Sequence, residues 1–369
     1  MLVNIQFLRF AAALLVVLYH ASYHVNSTGV DKGLVFTAGE AVGFAGVDVF
    51  FMISGFIMSY TTANQKGTQA GFEFIKRRLA RIYSGYWPFF LLGLLVFSWA
   101  RSAHVAESNL LNSFLLWPQP LNRVLLDVSW TLSFELYFYF VFSLLLLVGL
   151  RQRFGLFIGF AVLVAGFNIY RHWYQLGFSP ENLHSLGFFD QFLTSPFLIE
   201  FLAGALLATT MKTRSLRSGW LALLAGIAGF IIAGWVNLEV YGGAIEQGYY
   251  TVPRVLIFGT PSLFIVFGLV QLEQNGVVAP RRFSLATGGA SYALYLCHTL
   301  FFVTTMKLGV AGFLRDWSSW QVQVFYGVYV ALIVAFSVCH YYFIEQPLHR
   351  IFKRGLLPEK YAQRSSSTN

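Results

Sequence analysis

Apolar residues run through this chain in ten stretches long enough, or nearly long enough, to cross a bilayer: roughly residues 5–24, 43–62, 86–100, 125–149, 154–174, 197–211, 219–236, 254–272, 290–310 and 322–344. The third and sixth are short. The pattern predicts an all-α fold, a polytopic transmembrane bundle of about ten helices. Its first stretch, IQFLRFAAALLVVLYHASY, carries Arg9 near its start and His20 near its end. They stand eleven positions apart. At about 100° per residue this puts both on one helix face, about 16 Å apart along the axis. Ionisable groups buried unpaired in hydrocarbon cost several kcal/mol, so their presence there points to function. The plainer alternative is an uncleaved signal anchor whose Arg9 snorkels and whose His20 sits at the far interface.

Composition agrees with the pattern. A hydrophobic fraction of 57%, with only 11% charged residues and a mean hydropathy of +0.62, excludes an ordinary soluble domain of 369 residues. One set of alternate loops holds seventeen Lys and Arg residues, and the opposite set holds seven. Because basic residues accumulate on the cytoplasmic side, both termini are expected in the cytoplasm. The net charge of +9 then reflects topology and contact with anionic membrane lipid, with no nucleic-acid partner. Cys297 and Cys339 fall inside spans and suggest neither a disulfide framework nor a metal site. The expected organisation is a transmembrane domain over 1–350 and a basic, disordered cytoplasmic tail over 351–369, with QRSSSTN from Gln363 as its most polar part.

Several spans carry polar groups at helical spacing. In the second, Asp48 sits near the outer end among the small residues Gly43, Gly46, Ser54 and Gly55; the bland reading is a packing helix with one interfacial acid. A rhomboid-protease reading of Ser54 requires glycine two residues earlier, where Met52 stands. The basic segment FEFIKRRLARIYSGYWP, residues 72–88, places Arg78 and Arg81 on one face and reads as an interfacial segment, its cations serving either topology or a polyanionic ligand. Thr131, Glu135 and Tyr139 follow one another at four-residue spacing on the fourth span, with Glu135 at a depth comparable to His20. Ser291, Tyr295 and His298 form a further stripe on the ninth. At the end of the last span Pro347 is expected to stop the helix and Glu345 to cap it or form a salt bridge. His20 and His24 lie one turn apart, but no third metal ligand is recognisable near them.

LRFAAALLVVLYHAS, GVDVFFMISGFIM, KRRLARIYSGYW, SWTLSFELYFYF, SYALYLCHT and FIEQPLHR, in that order, resemble the acyltransferase family 3 membrane O-acyltransferases, and within them the bacterial exopolysaccharide acetyltransferases. Each motif alone is modest, while six in order over residues 4–350 are specific. Ser84 stands where such proteins usually carry proline, which is expected to alter the turn into the third span. No hydrolase-like domain follows the last helix, so a stand-alone member is expected. The resemblance implies a protein of the bacterial cytoplasmic membrane that transfers an acyl group, acetyl by preference, from acyl-CoA to a hydroxyl of an exopolysaccharide, a surface glycan or its lipid-linked precursor. It makes Arg9 and His20 the essential pair and matches Arg78 and Arg81 to a cytoplasmic Arg-x-x-Arg motif that, with Arg9, holds the donor.

On this basis His20 is expected to act as general base on the acceptor hydroxyl, with Glu135 or Asp48 orienting its imidazole, or to be transiently acylated itself. Trp130, Tyr139, Tyr295 and His298 are the expected substrate contacts, and no metal is expected. The competing reading is a proton-coupled transporter or flippase, since buried His and Glu with basic mouths also suit a carrier; the missing internal repeat argues against it.

Overall fold

The computed structural model describes residues 2–171, 187–211, 218–243, 245 and 252–356. In chain order its principal helices are α1 (Val3–Asn26), α2 (Gly33–Val42), α3 (Gly46–Thr61), α4 (Thr68–Ala100), α5 (Trp130–Leu145), α6 (Leu150–Tyr170), α7 (Phe197–Met211), α8 (Gly219–Glu239), α9 (Thr260–Gln274), α10 (Arg281–Lys307), α11 (Ser319–His340) and α12 (Gln346–Leu356). No strand occurs among the described residues. Nine helical stretches among them are long and apolar enough to span a membrane.

The tenth span is α10, whose 27 residues are also long enough. It lacks the hydropathy because it carries Ser284, Thr287, Ser291, His298, Thr299, Thr304 and Thr305, yet from Gly288 to Val303 it is buried almost continuously. A helix wrapped by other helices meets protein instead of lipid, so it can afford polar residues provided they find partners. Gly288 makes this possible: a Cβ there would collide with the carbonyl of Gln6, so α1 and α10 touch backbone to backbone. The α3–α7 crossing is as close, with Gly55 against the Phe201 carbonyl and Gly204 against that of Met52. The start of α1 is fixed from α9. Glu273 accepts hydrogen bonds from the backbone N–H groups of Val3 (2.7 Å) and Asn4 (2.8 Å), two of the four donors that a helix start leaves unpaired.

Four expectations change. The basic segment 72–88 is no separate interfacial helix but the first half of α4, which continues without a turn through Ser84 and Pro88 to Ala100. Pro347 does not stop the last helix. A π-helical turn at Tyr341–Glu345 intervenes, in which the Gln346 N–H reaches back to the Tyr341 carbonyl, and α12 then runs on to Leu356. The boundary drawn at residue 350 therefore cuts a helix; of the expected tail, 351–356 are helical and 357–369 lie outside the described residues. Finally, Arg153, Arg171 and Arg254, counted as loop charges, are buried, and Arg153 donates to the carbonyls of Val148, Thr62 and Gln65. Lys212, Arg214, Arg217, Lys360 and Arg364, also used for orientation, lie outside the described residues.

Candidate active site

The first half of α1 opens on a cavity of about 210 Å³ that gathers polar residues from five helices: Gln6 and Arg9, Ser54, Arg78 and Arg81, Glu135 and Tyr139, and Tyr292 with Tyr295. Thr131, Glu135 and Tyr139 all line it, so their four-residue spacing turns one stripe of α5 inward. Its charges hold one another in place. Arg9 donates to Gln6 (3.3 Å) and lies within electrostatic reach of Glu135 and Glu345. Arg81 pairs with the buried Glu345 (3.2 Å) and lies over the Tyr292 ring. The Arg78 guanidinium lies 5.2 Å and 5.4 Å from the ring centres of Phe74 and Tyr139, while the Tyr139 hydroxyl donates to Glu135. Three arginines face two carboxylates, an excess of positive charge suited to an anionic ligand. A neighbouring recess of about 290 Å³ shares Arg78 and Arg81 and adds Arg77 and His349. His349 comes from α12, so that recess borders the helix that also carries Arg350, Lys353 and Arg354.

The second half of α1 borders a different cavity, of about 90 Å³, where Tyr19 and His20 meet Phe44, Asp127, Trp130 and Arg254. Val47 and Tyr295 line both cavities, so the two are neighbours that share these walls. Tyr295 is fixed there by accepting from Thr131 (3.0 Å) and donating to the Val128 carbonyl (3.0 Å).

The partners of His20 define its chemistry. Its Nδ1 lies 2.9 Å from the Val16 carbonyl and 3.3 Å from Nε2 of His298. The Nδ1 of His298 in turn lies 3.2 Å from the Leu294 carbonyl. A carbonyl can only accept, so each Nδ1 carries a proton. The single Nδ1–H of His20 is then shared between the Val16 carbonyl and His298 Nε2, both acceptors, and the Nε2 of His20 keeps a bare lone pair. That is the state a general base needs.

Neither carboxylate expected to orient His20 does so. Glu135 is bound to Tyr139 in the cavity of the arginines, drawn to the cation of Arg9 rather than to the depth of His20. Asp48, fully buried, takes two bonds from Arg254, at 2.8 Å from Nη2 and 3.3 Å from Nε. The Arg254 guanidinium is packed between Phe44 and Phe197 (5.0 and 5.1 Å), and the buried Glu200 lies within electrostatic reach of both. Arg254 and Glu200 were missed in the sequence. A lone arginine at the edge of a span looks like a topological charge, and a single glutamate in FLIEFLAG has no neighbour to mark it. His24 stacks on Phe302 (4.7 Å), and no group of three or more potential metal ligands occurs among the described residues.

Other proteins share this pattern. A family profile described as "Acyltransferase domain" matches residues 2–342. The "Exopolysaccharide production protein ExoZ" of Rhizobium meliloti (strain 1021) is 28% identical over 332 residues, covering 84% of this chain and 90% of that protein. No solved structure matches the chain. A profile match across nearly the whole helical bundle, both cavities included, makes this chain a member of acyltransferase family 3.

Proposed function

We propose that this membrane acyltransferase moves an acyl group, acetyl by preference, from acyl-CoA to a hydroxyl of an exopolysaccharide or of its lipid-linked precursor. One observation carries the reading: an arginine-lined cavity and a histidine-bearing cavity lie in sequence along α1 and share the walls Val47 and Tyr295. The donor's phosphates bind at Arg78 and Arg81 with help from Arg9, because guanidinium groups match phosphate with paired, charge-assisted hydrogen bonds. About 16 Å of helix separates Arg9 from His20, a span that suits the long, thin arm of a coenzyme reaching inward with its thioester. The acceptor occupies the other cavity, where Trp130 and Tyr19 offer flat faces to a sugar ring and Asp127 offers a carboxylate to its hydroxyls.

The reaction then follows from the state of His20. Its bare Nε2 takes the proton of the acceptor hydroxyl as that oxygen attacks the thioester carbonyl carbon. The tetrahedral intermediate expels the thiolate by breaking its C–S bond. The imidazolium of His20 gives its new proton to the leaving sulfur, and the base is restored. The carbohydrate acceptor draws support from the name of the relative, a protein of exopolysaccharide production.

This geometry needs the arginine end in the cytoplasm, where acyl-CoA is made, with both termini on that side of the bacterial cytoplasmic membrane. Reporter fusions after Asn369 and at Ser179 are expected to label opposite faces, and labelling of one face by both contradicts it. Replacing Arg78 and Arg81 together by alanine is expected to raise the KM for acetyl-CoA at least tenfold with little change in the dependence on acceptor. An unchanged donor affinity would return the two arginines to a purely topological role. The reading as a whole is tested by mass spectrometry of surface glycans from cells with and without the protein; identical O-acyl content would refute it.

A further inference from the structure

We infer that His298 is a positioning residue: it accepts the Nδ1 proton of His20 in a hydrogen bond and thereby holds the His20 Nε2 lone pair toward the acceptor cavity. The inference rests on His20 being the base of the proposed reaction and assigns to α10 the part that a carboxylate plays in many histidine-dependent enzymes. Three observations carry it. His298 is fully buried and lines neither cavity, so it touches substrate in neither. Its ring is itself fixed by the bond from Nδ1 to the Leu294 carbonyl (3.2 Å), which leaves Nε2 as an acceptor aimed at His20 (3.3 Å). Its ring centre also lies 4.8 Å from that of His20, 6.0 Å from that of Tyr295 and 6.3 Å from that of Phe302, so the imidazole is packed among three rings.

The Val16 carbonyl alone could hold the proton on Nδ1, but it belongs to the same helix as His20 and cannot fix that helix against the rest of the bundle. His298 can, because it comes from α10. The pairing also has an electrostatic sense. A neutral imidazole orients the base without placing an uncompensated charge in a buried site, as an unpaired carboxylate would. When His20 takes the hydroxyl proton at Nε2, its Nδ1–H remains bonded to His298 Nε2, and the positive charge is met by a lone pair from outside its own helix.

The test compares His298→Leu with His298→Gln, whose amide oxygen can accept the same hydrogen bond. For the leucine variant kcat is expected to fall on the order of 10²-fold with both KM values nearly unchanged, the signature of a displaced group rather than lost binding. The glutamine variant should recover most of that loss. In parallel, ¹⁵N spectra of histidine-labelled protein in detergent should give a protonated Nδ1 and a bare Nε2 for His20, with the Nδ1 resonance moved by leucine and largely kept by glutamine. The spectra report on the pair whether or not the protein transfers an acyl group, so failure of the reaction and failure of the pairing are told apart. Full activity in His298→Leu, glutamine no better than leucine, or an unmoved His20 Nδ1 resonance would each overturn the assignment.

Discussion

His20→Ala is expected to abolish acyl transfer while leaving an inserted, folded protein that still binds acyl-CoA. A positioned general base contributes typically 10²- to 10⁴-fold, and no second group in the histidine cavity can replace it: Asp127 is held near Arg101 (3.8 Å) and His104 (3.6 Å), and Arg254 is bound to Asp48. Folding should tolerate the change because His20 is only partly buried and, of the two acceptors its Nδ1–H serves, the Val16 carbonyl is already bonded within the helix and only His298 Nε2 loses its partner. Donor binding should persist because the arginine cavity lies on the other side of Val47 and Tyr295. Thiol release from acetyl-CoA and donor binding, measured on the same preparation, separate the two effects. A protein that stays active without His20 would end the acyl-transfer mechanism and return attention to the carrier reading of the same buried charges.

Arg254→Met is expected to be the most damaging single change to stability. It leaves Asp48, fully buried, without its ion-pair partner beside a second buried carboxylate, Glu200. Removing one member of a buried ion pair costs about 3–5 kcal/mol. Asp48→Asn should cost less, because Glu200 is within reach of the same guanidinium and can serve as its counter-ion. The order of thermal midpoints in detergent is therefore wild type, Asp48→Asn, then Arg254→Met. If the asparagine variant melts below the methionine variant, Glu200 does not share the charge of Arg254.

The spans were legible in the sequence because burial in lipid demands long apolar runs, and the run expected from residue 197 starts where α7 starts. The start of α4 was not. Its arginines lower local hydropathy and so mimic an interfacial segment, whereas the same side chains face an internal cavity whose charges they balance. Within the site, stripes on a single helix could be read from spacing: Arg9 with His20, and Thr131 with Glu135 and Tyr139. Contacts between helices could not. His20 and His298 are 278 residues apart, and their meeting depends on a glycine-mediated approach of α1 to α10 that no local pattern announces. The sequence offered two carboxylates as partners for the histidine, and tertiary packing gave Asp48 to Arg254 and Glu135 to Tyr139 instead.

The polarity of α10 bears on how the protein is made. During insertion a nascent segment is sorted by its own affinity for lipid, and this one, with its serines, threonines and His298, is a weak candidate when alone. Its place is a slot already walled by α1, whose N-terminal turn is held by Glu273 only eight residues before α10 begins. Assembly therefore has an order: the early helices must wait, partly unfilled, until synthesis reaches α10, and His20 acquires its partner only when the segment least suited to lipid is drawn into the bundle.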